Sequence, residues 1–232
     1  MALPKLTAPT YELDLPSSGE KIKYRPFLVK EQKLLMMAEE SKDDSQVAET
    51  IQQLIGSCTF GKVDAIISPI FDIEYVFLQL RMRSVGEIVN IKVICPDDKK
   101  TQVSVKVNLK DVDVLNDENH TNIVKVTDNI KMIMRYPQLT DMKNMKNTTE
   151  NLFSLLQSCI LEVHDGDVIH NRTDITKKDM DEFIDSFSTG QLENIMKFFD
   201  TMPKIRHVIS VTNPNTNVVS EIPLEGMDTF LA

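Results

Sequence analysis

The chain has 232 residues, 41% of them hydrophobic, so it can bury a core of one large domain or two small ones. A net charge of −9 and a pI near 5.0 argue against bulk binding to a phosphate backbone, which depends on Lys and Arg. Three scattered cysteines (58, 95 and 159) do not form a disulfide framework, and no run is long and apolar enough for a membrane span.

Residues 1–9, "MALPKLTAP", read as an unpatterned arm without the apolar core of a signal peptide, and the reducing cytoplasm is the expected compartment. Tyr11 and Leu13, then Ile22 and Tyr24, alternate with polar residues around "PSSGE", which predicts a β-hairpin turning at Pro16–Gly19. Pro26 ends the second strand, because proline has no N–H for a ladder. "KEQKLLMMAEE" predicts a helix over 30–40, and Asp43 or Asp44 caps the next one, with Val47, Ile51, Leu54, Ile55 and Cys58 on its apolar face. Gly61 stops it. A third helix starts with Ser68 as cap and Pro69 at the first position, and presents Ile73, Val76, Phe77 and Leu80.

After Gly86 the period changes to two. "EIVNIKVIC" and "TQVSVKVNL" are strands joined by "PDDKK", "DVDVL" is expected to continue that sheet, and "TNIVKVTDNIKMIMRYP" supplies one or two more. Leu152, Leu155, Leu156 and Cys159 then form a helical stripe, followed by a turn at Asp165–Gly166. Thr176/Asp179 and Ser188/Gln191 mark two capping boxes, and a hairpin around Asn213–Asn217 closes the chain. The expected fold is α+β, helices with several antiparallel β-hairpins. "QLIGSC" (53–58) echoes "SLLQSC" (154–159), and "NLKDVDVL" echoes "PLEGMDTF". A degenerate duplication into halves 1–136 and 137–232 explains the echo, and so does chance similarity of short apolar runs.

No catalytic constellation emerges. The four histidines lie outside any nucleophile motif, and no phosphate loop is present. His164, Asp167, His170 and Asp174 are metal-ligand types without a recognised spacing; a solvated Asp-Gly turn is the plainer reading. Cys95 resembles one zinc knuckle, but Asp98 stands where a second cysteine would be, and the closing hairpin offers "TNPNTN". No cofactor is expected, and enzyme activity is not. In "IKYRPFLVKEQ" (22–32), Lys23, Arg25 and Lys30 surround Tyr24 and Phe27, but the aromatics fall at positions expected to be buried. The run reads as a joint: strand to Tyr24, Phe27 and Leu28 wedged between sheet and helix, basic side chains toward solvent or an acidic partner. "RMR" (81–83) falls at a helix C-terminus, where cations complement the dipole. Leu34, Leu35, Met36 and Met37 exceed what a single narrow stripe needs. Tyr24, Arg25, Phe27, Leu34, Met36 and Met37 are therefore the candidate partner-contact residues.

The runs "YELDLPSSGEKIKYRPFLVKEQKLLMMAEES", "LIGSCTFGKVD", "FDIEYVFLQLRMRSVGE" and "HTNIVKVTDNIKMIMRYP" resemble the T4-like bacteriophage baseplate hub subunit and hub assembly protein family. The order of strand pair, "RPF" joint, helices and hairpin also looks, more distantly, like tail assembly chaperones of other tailed phages. The resemblance implies a non-enzymatic morphogenesis protein acting in the infected cytoplasm. It implies hub proteins, the tape-measure protein or a second copy as partners, and transfers no catalytic residue. A tape-measure chaperone and a nucleic-acid-binding module are the rival expectations.

Overall fold

The computed structural model describes residues 6–142, 149–226 and 229. The chain is α+β. It runs β1 (Tyr11–Asp14), β2 (Lys21–Tyr24), α1 (Val29–Ser41), α2 (Asp44–Cys58), α3 (Ile70–Ser84), β3 (Ile88–Ile94), β4 (Gln102–Asn108) and β5 (Asp113–Leu115). It continues with β6 (Ile123–Lys125), β7 (Ile130–Met134), α4 (Leu139–Met142), α5 (Thr149–Cys159), β8 (Ile160–Asp165) and β9 (Val168–Asn171). It ends with α6 (Lys177–Asp185), α7 (Thr189–Thr201), β10 (Lys204–Thr212) and β11 (Val219–Glu225).

Two compact units result: residues 1–115 with 204–232, and residues 116–203. These differ from the halves 1–136 and 137–232 expected from the sequence. The closing hairpin β10–β11 does not stay with the helices that precede it. β10 pairs antiparallel with β5, through Lys204↔Leu115, Ile205↔Val114 and Arg206↔Asp113. For the same reason "DVDVL" joins β10 and does not extend the β3–β4 ladder.

In the first unit β1 and β2 form a two-stranded hairpin, with Leu13, Ile22 and Tyr24 buried. Its turn is tied down by a buried carboxylate: Asp72, in the first turn of α3, accepts from Ser17 N–H at 2.9 Å and from the Ser17 hydroxyl. Burial pushes the Asp72 carboxyl up, and the two Ser17 donors oppose the rise. Ser68 does not cap α3. Pro69 holds the cap position, and its carbonyl accepts from Asp72 and Ile73 N–H. The expected apolar face of α3, Ile73, Val76, Phe77 and Leu80, is buried throughout.

The β3–β4 hairpin and the β11–β10–β5 sheet share one core, including Leu78, Met82, Val89, Ile91, Val107, Leu109, Ile205, Ile209, Val211 and Leu224. Their turn tips meet. The Asn213 amide donates to both Asp97 oxygens at 3.0 Å, the Thr216 hydroxyl donates to Asp97 at 2.5 Å, and Asn215 donates to Thr101 Oγ1 at 2.9 Å.

The second unit holds a four-stranded antiparallel sheet, β6–β7–β8–β9. "TNIVKVTDNIKMIM" thus forms two strands. Met132, Met134, Leu156, Ile160, Val163, Met180, Ile184, Ile195 and Phe198 make its core. Both expected caps form: Thr176 accepts from Asp179 N–H, and Ser188 with Gln191 makes a full capping box. Helix α7 also covers the free edge of β6, with Asn194 and Gln191 donating to the Lys125 and Val126 carbonyls at 2.7 and 3.3 Å. Leu152 departs from its predicted stripe, being exposed while Leu156 and Cys159 are buried.

Ile195 is fully buried in the second core. Ile195→Ala is expected to cost about 2–5 kcal/mol in denaturant unfolding, whereas Val168→Ala at the exposed end of the sheet stays within about 0.5 kcal/mol.

Candidate interaction surface

The joint between β2 and α1 is built from an ion pair between half-buried Arg25 and buried Glu31. Arg25 leaves the strand with its backbone N–H on the Cys58 carbonyl at 2.9 Å, at the end of α2. Its guanidinium donates to the Pro26 carbonyl at 3.0 Å and to Glu31 Oε1 at 2.9 Å. Glu31 is the third residue of α1, and its other oxygen accepts from Leu28 N–H at 2.8 Å. That is half of a capping box, with the carboxylate held in place by arginine. Burial alone would raise the Glu31 carboxyl, but Arg25, the Leu28 N–H and Lys30 outweigh it and hold the carboxyl below its ordinary value. Arg25 is therefore spent inside the protein and does not point to solvent.

The second unit repeats this arrangement group for group. Arg135 N–H bonds the Cys159 carbonyl at 2.7 Å, at the end of α5. Its guanidinium donates to the next residue's carbonyl, Tyr136, at 3.0 Å, and to Asp141, six residues on, at 2.7 and 3.0 Å. Asp141 Oδ2 accepts from Gln138 N–H at 2.8 Å, as Glu31 does from Leu28. The echo of "QLIGSC" with "SLLQSC" thus places two cysteines at equivalent helix ends, each fully buried. The matching partner runs, "RPFLVKE" and "RYPQLTD", escaped the sequence reading because proline sits at different positions in them. An Arg followed six residues later by a carboxylate, after a strand, is the signal that would have found both.

Among the candidate contact residues, Tyr24 (1% exposed) and Phe27 (9%) are in the core. Phe27 is pinned further by its N–H on Ser84 Oγ at 2.9 Å. Leu28, expected to share that wedge, is 41% exposed, because it stands at the cap of α1 and turns outward. Leu34, Met36 and Met37 are exposed on α1, at 41, 54 and 66%, and Leu35 is half-buried. This helix rests on the core through Ala38 and Glu31, so most of its apolar side chains face outward. A shallow notch between α1 and α2, lined by Lys30, Leu34, Gln53 and Leu54 among others, borders this face.

The remaining candidates resolve differently. β8 and β9 pair His164 with Ile169 and His170 with Val163, so the two rings lie on opposite faces of the sheet. His164 Nε2 is 2.7 Å from Glu162 Oε2. The described residues contain no group of three His, Cys, Asp or Glu side chains arranged to hold a metal. Cys95 is buried in the β3–β4 core, and Asp98, where a knuckle's second cysteine would stand, accepts from Lys100 and Thr101. Of the "RMR" cluster, Arg81 donates to the Gly86 carbonyl just past α3, and Arg83 lies 4.6 Å over the Tyr11 ring.

A family model described as T4 bacteriophage base plate protein matches residues 8–232. The chain belongs to that base plate family. No curated protein and no solved structure matches it significantly. The match spans both units, so both Arg–carboxylate joints belong to the base plate protein. No helix among its described residues is long and apolar enough to cross a membrane.

Arg25→Met leaves buried Glu31 with only the exposed Lys30 ammonium, at 3.2 Å, as counter-charge and is expected to cost about 3 kcal/mol at neutral pH. Glu31 and Asp141 have depressed folded pKa values, so their contribution is present above the unfolded value of about 4 and is lost as pH falls through the lower folded value. In acid titrations of stability, the gap between wild type and Arg25→Met closes over that range. Burial pushes Cys58 up to about 11 and Cys159 up to about 12, each partly offset by its arginine. At pH 8 both thiols should resist iodoacetamide in the native protein and react on denaturation, as read by mass spectrometry.

Proposed function

We propose that this base plate protein is a non-enzymatic subunit or assembly factor of the baseplate hub. It acts by stoichiometric protein–protein binding in the host cytoplasm while the tail is built. The observation that carries this reading is the set of exposed apolar side chains on α1, Leu34, Met36 and Met37, of which Leu34 also lines the α1–α2 notch. Methionine side chains adapt to the surface they meet, which suits a face that docks on another protein. The carboxylates drawn into the fold support the non-enzymatic reading: buried Glu31 and Asp72 and half-buried Asp141 are each engaged in bonds that hold one element to another. Other hub proteins and the tape-measure protein are the proposed partners.

Co-expression with each hub protein and with the tape-measure protein, followed by pull-down, tests the reading. A hub protein is expected to co-purify. The double variant Met36→Asp, Met37→Asp should lose that partner with an unchanged melting curve, because both side chains are exposed. Capture of the tape-measure protein alone would make the protein a tape-measure chaperone instead. Retention of no partner by the wild type would sink both assignments.

A further inference from the structure

The two hairpins that enter the Arg joints differ at one edge. In the second unit the Arg135 N–H on the Cys159 carbonyl is the first rung of a ladder, and the chain continues straight into β8. β8 then pairs with β7 through Met134↔Ile160, Ile133↔Glu162, Met132↔Val163 and Lys131↔His164. In the first unit the equivalent rung exists, Arg25 N–H on the Cys58 carbonyl. No strand comes after it. Phe60 and Gly61 take consecutive left-handed conformations, at φ 56° and 74°, and turn the chain away from β2.

The phase of the ladder determines which backbone groups are left open. Leu15 N–H bonds the Glu20 carbonyl, and Leu13 faces Ile22 and Tyr11 faces Tyr24. Peptide groups of alternate residues point to opposite edges of a strand, so those of Ile22 and Tyr24 point to β1. Those of Lys21, Lys23 and Arg25 point to the outer edge. Arg25 is bonded there, but the backbone N–H and C=O groups of Lys21 and Lys23 have no hydrogen-bond partner among the described residues. Both lysines are exposed.

We propose that the outer edge of β2 is a strand-acceptor site. It takes an antiparallel extended segment of another phage structural protein, one that alternates apolar and acidic residues. This rests on the proposed function, in which the protein works by binding phage proteins. The chemistry comes from the two faces of β2. Ile22 and Tyr24 are buried, and the matching β7 residues, Met132 and Met134, face the buried Val163 and Ile160 of β8. An incoming segment therefore needs apolar residues opposite Ile22 and Tyr24. On the exposed face stands Lys23, at the position of Ile133, whose partner in β8 is Glu162. Lys23 has only a loose contact with Glu12, at 3.9 Å, so a carboxylate opposite it would be well paired. Lysines also disfavour pairing with a second β2, since that would set Lys against Lys. Such edge additions draw affinity from backbone bonds and specificity from the alternating side chains.

The probe is a synthetic peptide with the sequence of β8, ILEVHD, flanked by glycines. Titrated into the intact protein, it should slow amide exchange at Lys21 and Lys23 and bind saturably. Lys23→Pro removes the outward N–H without touching the bonds to β1. It should weaken peptide binding by about tenfold or more with an unchanged melting curve. Should that variant unfold, Lys21→Glu with Lys23→Glu serves instead: it should reject this peptide and accept one whose Glu is replaced by Lys. Absence of binding at millimolar peptide, or binding that none of these variants weakens, overturns the site. Concentration-dependent self-association lost in Lys23→Pro would make a second copy the occupant and overturn the assignment to another protein. The peptide titration needs no phage partner, so its failure leaves the α1 pull-down reading standing, and loss of the pull-down leaves the edge standing.

Discussion

Each unit depends on an arginine that is drawn largely out of water where a strand becomes a helix. A guanidinium cannot shed its charge, so taking it out of water requires a carboxylate and further acceptors close by. Arg25 and Arg135 meet this demand in the same way, with a carboxylate in the first turn of the next helix and the following carbonyl, while the backbone N–H of each arginine donates to the carbonyl of a buried cysteine. Four elements are thereby fixed about one residue: the strand, the first helix, the end of the second helix and the connection between them. The cysteines behave as small hydrophobes whose carbonyls matter more than their thiols.

The same joint in both units is the strongest sign that the chain contains a repeated module. The modules differ mainly in the course of the chain beyond the buried cysteine. After Cys159 the chain adds β8 and β9 to the sheet, whereas after Cys58 it turns away into α3. The first hairpin is left with two strands; it buries Leu13, Ile22 and Tyr24 and is tied to α3 by the Ser17–Asp72 bonds and the Arg83–Tyr11 contact. The closing hairpin obeys a comparable logic: its tip is held to the β3–β4 tip by Asp97, with Asn and Thr donors filling the carboxylate's lone pairs.

Local features were legible in the sequence because their causes are local. The caps Asp43, Thr176 and Ser188 each bond a backbone N–H a few residues on, and the alternation in "TQVSVKVNL" puts valines on the inner face whatever lies beyond. Ser68 failed as a cap because its neighbour Pro69 took that position. The "IKYRPF" run was legible as a joint, but not the fate of its arginine, since Cys58 is distant in sequence and Glu31 reads as an ordinary first-turn acid.

The α+β class, the hairpin turns, the helix caps at Asp43, Thr176 and Ser188, and the family signature were determined by the sequence alone, through propensity, period and motif. Only the tertiary structure decided that β5 pairs with β10 and so draws the last hairpin into the first unit. Only it showed that Tyr24 and Phe27 are core while Leu34, Met36 and Met37 are surface. Strand pairing across long separations and the choice of buried face depend on the summed packing of several elements, and no short window of residues carries that sum.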